Sequence, residues 1–159
     1  MPGNKVKQFL DEHHVSYQAI PHTRAFTAQG VAASAHIPGR ELAKTVMIKV
    51  DGEMAMAVLP ANYRINFDLL ASSIGADRVE LANEVEFRQL FPDCEVGAMP
   101  PFGNLYGMEV YVTESLAEDE QIAFNAGSHT ELIQIPYQDF ERLVKPKVLK
   151  FSTRNLVPS

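Results

Sequence analysis

The chain has 159 residues, 46% of them hydrophobic, enough for one domain that buries about 68–70% of its unfolded surface. Twenty Asp and Glu against 14 Lys and Arg leave a net charge of −6, which excludes the broad basic face of a sequence-independent nucleic-acid binder and argues against DNA as a partner. A single cysteine, Cys94, excludes an internal disulfide and a thiolate metal cage; with no signal-like start and no apolar run of the roughly 18 residues a span needs, the chain reads as cytoplasmic and free of membrane contact.

Over residues 4–14, Val6, Phe9 and Leu10 share one face, the pattern of a short amphipathic helix, and a strand follows at 17–20. Thr27 is placed to cap an Ala-rich helix over 27–35, which Pro38-Gly39 ends. Residues 43–50 and 53–59 flank Asp51-Gly52, the strongest short-range hairpin signal in the chain, so Lys44 falls on a strand. Asn66 caps a helix that runs through Ile74 and stops at Gly75. Asn83, with Glu86 three residues on, makes a capping arrangement for a helix ending near Leu90, and 78–81 is a short strand between the two helices. Segments 108–112, 121–125 and 131–135 are rich in β-branched and aromatic residues and complete a sheet. Pro136 suits the first turn of a helix carrying Tyr137, Phe140 and Leu143, with Pro146 beyond its end.

One hairpin, grouped strands and separated helices predict an α+β domain with a strongly mixed sheet rather than a regular βαβ array, spanning 1–159 as a single unit. A basic segment closes it at about 145–159: Lys145, Lys147, Lys150 and Arg154 stand there with no acid among them. That segment is either a solvated end or a phosphate contact.

Three features carry chemistry. Lys44 interrupts the apolar run Ala43-Lys-Thr-Val-Met-Ile, so its ammonium must reach water, an acid or a ligand phosphate; on alternation alone it is a lysine on the solvated face of a half-buried strand. Gly97-Ala-Met-Pro-Pro-Phe-Gly103 combines two prolines with flanking glycines, a rigid loop that can either join two elements or hold a carbonyl oxygen or water with its backbone. His129 follows Gly127-Ser128 at a strand start, where an imidazole can orient a hydroxyl or move a proton, or simply be a satisfied structural histidine. Neither the dinucleotide nor the phosphate-loop glycine pattern occurs, no Gly-x-Ser-x-Gly elbow is present, and Cys94 sits between Asp93 and Glu95, which disfavour a thiolate. No histidine falls in metal-ligand spacing, and no metal is expected.

Taken together, Lys44 on its strand, Gly97-Ala-Met-Pro-Pro101 and Phe124-Asn-Ala-Gly-Ser-His129 closely resemble the YbaK/prolyl-tRNA synthetase-associated editing-domain family, over nearly the whole chain from about 5 to 144. Supporting stretches are 27–39 leading into Glu41-Leu-Ala-Lys44, Gly75-Ala-Asp-Arg-Val-Glu80, and Glu131-Leu-Ile-Gln-Ile-Pro136. The resemblance implies an α+β domain with a mixed, barrel-like sheet flanked by helices, which hydrolyses the ester joining a wrong amino acid to tRNA, with no metal or cofactor. It implies a catalytic set of Lys44, Gly97, Pro101 and His129, with Lys44 holding the 3′-terminal adenosine and its phosphate, and Gly97 and Pro101 on the family's Gly-x-x-x-Pro motif. The loop would bind the amino-acid carbonyl or the water, and a terminal hydroxyl of the tRNA would help activate that water. Thr45, Ala98, Met99, Pro100, Phe102, Asn125, Gly127 and Ser128 are the expected substrate-lining residues, with Met99, Pro100 or Phe102 crowding out proline. The implied partner is mischarged tRNA, above all tRNA(Pro), with transient contact to prolyl-tRNA synthetase. The Asn125-Ala-Gly-Ser-His129 stretch favours alanine as the amino acid removed, with cysteine, serine or another small residue as alternatives. Rival readings are a non-catalytic binder of charged tRNA ends or of a synthetase, and an esterase acting on small acyl esters.

Overall fold

Asp51 and Gly52 both adopt left-handed backbone (φ 49° and 89°), the geometry of a two-residue turn whose twist matches the flanking strands. In the computed structural model, which describes residues 4–21, 41–91, 94, 99–127 and 131–154, this turn joins β2 (Leu42–Val50) to β3 (Glu53–Pro60). The turn also positions a later strand. The Asp51 carboxylate accepts the backbone N–H of Arg78 at 2.8 Å and of Asp77 at 3.3 Å, which brings β5 (Val79–Leu81) alongside the far end of β2.

Helix α1 (Asn4–Glu12) buries Val6 and Leu10, and β1 (Gln18–Pro21) follows it. After β4 (Tyr63–Ile65) comes α2 (Phe67–Ile74), whose N-cap Asn66 accepts from the Leu69 N–H and whose C-cap is Gly75. Helix α3 (Glu84–Phe87) carries the full capping box of Asn83 and Glu86 and runs on as a 3₁₀ turn over Arg88–Leu90. A second 3₁₀ turn, Gly103–Leu105, precedes β6 (Val110–Thr113), which begins two residues later than its composition predicts. Thr113 caps the short α4 (Glu114–Ala117), which has no counterpart in the sequence reading. Strands β7 (Gln121–Asn125) and β8 (Glu131–Pro136) lead to α5 (Tyr137–Val144), with Pro136 serving as the last strand residue and the N-cap rather than as first-turn proline. The helix expected over 27–35 lies outside the described residues.

The expected α+β architecture with a mixed sheet is what the chain adopts. Eight strands form one sheet in the order β1-β8-β7-β2-β3-β6 and then β9 (Lys147–Leu149), with β5 also on β2. The β2/β7, β3/β6 and β6/β9 pairs are parallel, and the others are antiparallel. A separate two-stranded ladder joins β4 to β10 (Ser152–Arg154). As far as Arg154 the basic segment after Val144 supplies β9 and β10: Lys145, Lys147 and Lys150 are exposed, and Phe151 between the two strands is fully buried.

Two apolar clusters lie on opposite faces of β2 and β3, as the two-residue period of a strand requires. One gathers Ala43, Met47, Met56 and Val58 with Val6 and Leu10 of α1, Phe140 of α5, Met99, Phe102 and Phe124. The other gathers Ile48, Ala55, Ala57 and Tyr111 with Leu70 of α2, Val79 and Phe151.

Candidate active site

Strand β2 is paired with β3 along its length, but on its other side it has two partial neighbours. Leu42 and Ala43 pair with Ala123 and Phe124 of β7, and Ile48 to Val50 pair with β5. Between those pairings the sheet splits: among the described residues Lys44 to Val46 have no strand partner on that side, while the Met47 carbonyl accepts the Ala82 N–H at 3.0 Å. The Ala61 N–H donates to the Leu42 carbonyl on the β3 side, so alternation turns the N–H and C=O of Thr45 towards the split. Among the described residues that edge is unpaired, so a ligand lying there would meet the Thr45 N–H and C=O.

Lys44 stands at the mouth of the split. Its side chain shares a face with Leu42, Val46 and Ile48, whereas Thr45 points to the opposite face with Ala43 and Met47. Lys44 is half-buried, not the solvated strand lysine that alternation allows. Its Nζ has one neighbouring acceptor among the described residues, the Ala61 carbonyl at 3.5 Å, and no carboxylate within ion-pair reach. Burial lowers its pKa from the ordinary lysine value, because a partly desolvated ammonium without a counter-charge is disfavoured. An anion entering the split would supply that missing charge.

The parallel register Leu42↔Ala123, Ala43↔Phe124 ends one step before Lys44 and Asn125, which by strand alternation are on the same face of the sheet. The Asn125 Oδ1 is buried and has no hydrogen-bond partner among the described residues. Around the two polar groups, Leu42, Leu59, Ala61, Ala123 and Leu132 line the same face by register, and all are closed to solvent. Gly127, two residues on, takes φ 97°, a conformation that favours glycine and lets the chain turn away from β7. Sequence reasoning included Asn125 among the lining residues but missed the apolar floor beneath it.

The rigid loop is built differently from its expected role. Gly97 and Ala98 lie outside the described residues, as do Ser128 and His129. From Met99 to Phe102 the loop is buried, with Phe102 at 0% exposure. The Phe102 ring meets Phe9, Phe124 and Phe140 at centroid distances of 5.9, 5.3 and 5.7 Å, all with tilted or edge-on geometry. Met99 and Phe102 thus belong to the core on the Thr45 side of β2, and their side chains point away from Lys44. Pro100 and Pro101 are buried as well, so the second half of the loop acts as an anchor for the first.

A cleft of about 510 Å³ opens at the same end of β2 and β3, lined by Glu41, Tyr63, Ser115, Glu118, Asp119 and Glu120. Four carboxylates on its rim repel a phosphate chain, which leaves the Lys44 side of the sheet end as the one suited to an anionic ligand. Among the described residues no group of three His, Cys, Asp or Glu side chains is placed to hold a metal, and no helix is long and apolar enough to cross a membrane.

The family model for the aminoacyl-tRNA editing domain matches residues 22–143. The chain is 26% identical over 147 residues to the multifunctional Ser/Thr-tRNA deacylase ProXp-y of Escherichia coli K12, covering 89% of this chain and 87% of that protein. It is 33% identical over 100 residues to the proline--tRNA ligase of Streptococcus mutans, a match that takes in 63% of this chain and 15% of the ligase. The fold matches that of "a putative trans-editing enzyme for prolyl tRNA synthetase" with a TM-score of 0.80, over 95% of this chain and 96% of that one, at 16% identity. A family match over most of the chain, on a fold that presents a half-buried lysine at a split sheet edge, places the protein in the aminoacyl-tRNA editing-domain family.

Proposed function

We propose that the protein is a free-standing deacylase that hydrolyses the ester between a wrong, small amino acid and the 3′ end of a tRNA, acting in the cytoplasm with tRNA(Pro) as its carrier. The observation that carries this reading is Lys44: half-buried, without a carboxylate partner among the described residues, and set where the sheet parts. A phosphate of the terminal nucleotide would supply its counter-charge, with a hydrogen bond to a charged group worth about 1.5–3 kcal/mol.

Water attacks the ester carbonyl carbon, the bond to the ribose oxygen breaks, and that oxygen takes up a proton to regenerate the terminal hydroxyl. Within this proposal, Gly97 to Pro101 hold the carbonyl or the water with backbone groups, and the buried anchor from Met99 to Phe102 keeps that half of the loop still. The vicinal hydroxyl of the tRNA helps to activate the water, and His129 orients a substrate hydroxyl or moves a proton. A site that works by positioning and dipoles needs no side-chain nucleophile.

Alanine on tRNA(Pro) is the substrate favoured by the Asn125 to His129 stretch. Serine or threonine is the second reading, and the E. coli relative that carries Ser/Thr-tRNA deacylase in its name supports it. The test is release of amino acid from alanyl-, seryl- and prolyl-tRNA(Pro) by the purified protein. Release from a mischarged species with prolyl-tRNA(Pro) spared is the expected result; survival of all three at high protein concentration would favour a non-catalytic binder of charged tRNA ends.

A further inference from the structure

We propose that Lys7 and Glu131 are positioning residues for the deacylation: through their ion pair, helix α1 holds the turn between β7 and β8 in place relative to the proline-rich loop. This rests on the deacylase reading above, in which both segments act on the ester. Helix α1 presents three flanks. Residues four apart share a helix face, and residues two apart are turned by about 200°. Val6 and Leu10 therefore share the face that enters the core, Lys5 and Phe9 share a second, and Lys7 stands on the far side from those two.

The Lys5 and Phe9 flank meets the proline-rich loop on both of its limbs. Phe9 packs edge-on against Phe102, just after Pro101, with ring centroids 5.9 Å apart. Lys5 sets its ammonium 4.3 Å from the centroid of the Tyr106 ring, a cation–π contact. Tyr106 in turn touches the residues that lead into the loop, with its ring 4.4 Å from that of Phe91 and its hydroxyl 3.8 Å from the Cys94 Sγ.

The Lys7 flank meets the other segment. The Lys7 ammonium pairs with the carboxylate of Glu131, the first residue of β8. The Glu131 carbonyl accepts the Ala126 N–H at 3.3 Å and so closes the turn, which Gly127 opens with its left-handed backbone. His129 belongs to that turn by sequence. A helix set between the bases of two segments fixes their separation, and a site that works by positioning is sensitive to it: a displacement of about 1 Å can cost about 100-fold in rate. The pair itself adds little to stability, because its side chains are 28% and 31% exposed. Loss of rate and loss of fold are therefore separable.

The test measures kcat and KM on alanyl- or seryl-tRNA(Pro), whichever the wild type cleaves faster, together with Tm. The variants are Lys7→Met, Glu131→Gln, Lys7→Arg and the reversed pair Lys7→Glu with Glu131→Lys. In Lys7→Met and Glu131→Gln kcat is expected to fall about tenfold, with KM within about twofold of wild type and Tm lower by no more than about 2–4 °C. Lys7→Arg and the reversed pair should keep most of the wild-type kcat. An unchanged kcat in both single variants overturns the proposal, as does a loss that only tracks a fall in Tm or that neither restored pair recovers. A rise in KM for Lys7→Met alone also overturns it, since Lys7 would then be a direct contact to the tRNA. Each of these leaves the deacylase reading intact, whereas a wild type that cleaves neither ester overturns both.

Discussion

The rings of Phe102 and Phe124 meet with centroids 5.3 Å apart, and through them the proline-rich loop is fastened to β7, whose Phe124 is in turn paired with Ala43 of β2. Loop and strand edge are thereby held by one aromatic contact in the core. Removing the ring in Phe102→Ala takes away a fully buried side chain touching three other phenylalanines, a change that costs about 3–5 kcal/mol. The next residue allows little relaxation: a Cβ on Gly103 would stand 2.6 Å from Val110 Cγ2 and 2.9 Å from the Met108 carbonyl oxygen. Gly103→Ala is therefore expected to destabilise by about 1–3 kcal/mol through overpacking. Urea unfolding measures both, and a loss under about 0.5 kcal/mol for Gly103→Ala would mean that the Met108 backbone yields.

Lys44 sets stability against function. Its pKa is lowered from 10.5 by burial, so in the range between the folded and unfolded values the unfolded chain binds more protons, and stability rises with pH there. At neutral pH the buried charge is a cost. Lys44→Met removes it, and because the group is only partly buried the gain is screened to within about 1 kcal/mol, a rise in Tm of about 2–4 °C or less. Deacylation should fall about 10- to 100-fold in the same variant, the value of a hydrogen bond to a charged group. Calorimetry and single-turnover hydrolysis on one sample check the two signs together; a fall in Tm would mean that Lys44 stabilises the empty fold.

How much of this was legible in the sequence depended on how local the determining chemistry is. Asp51-Gly52, Asn66 with Gly75, and Asn83 with Glu86 act within a few residues, and the structure has the turn, the helix and the capping box where those residues place them. Strands β4, β9 and β10 have three residues each and exist because a distant partner pairs with them, as Ser152 does with Ile65 and Tyr111 with Lys147. No local pattern announces such strands. In the site, a lysine inside an apolar run was visible. Its burial was not, nor was the unpartnered Asn125 oxygen, since both depend on how residues distant in sequence pack around them. Met99 and Phe102 are lining residues by the family resemblance, whereas the packing puts both in the apolar cluster with Phe124 and Phe140.

The C-terminal segment offers the sharpest contrast between reading and fold. Phe151 is fully buried in the second apolar cluster, and its carbonyl accepts the Asn66 N–H at 2.7 Å, just ahead of α2. Phe151→Ala should cost about 3–5 kcal/mol, and truncation after Lys150 at least as much, because β10 then leaves β4 unpaired. Urea midpoints decide it: a solvated tail would leave them unchanged.

Glu86 joins helix α3 to the main sheet, and its ionisation makes that joint pH-dependent. One carboxylate oxygen accepts the Asn83 N–H at 2.9 Å, closing the capping box, while the other receives Lys49 of β2. The Lys49 hydrogen bond, followed by that from the Asn83 backbone, holds the Glu86 pKa below the ordinary carboxylate value. A depressed carboxylate pKa stabilises the fold above its unfolded value of about 4.3, and the contribution disappears as pH falls through the folded pKa. Glu86→Gln keeps an acceptor for the Asn83 N–H but loses the charge opposite Lys49. Its Tm should lie below that of the wild type at pH 7, and the two should converge as the pH drops below the ordinary carboxylate range. Asn83→Ala, which removes the cap oxygen on the Glu86 N–H, should instead cost about 1 kcal/mol at every pH in that series. Thermal melts of the three proteins across pH 3–8 separate the effects, and a constant gap for Glu86→Gln down to the lowest pH would show that the Lys49 pair contributes nothing to the joint.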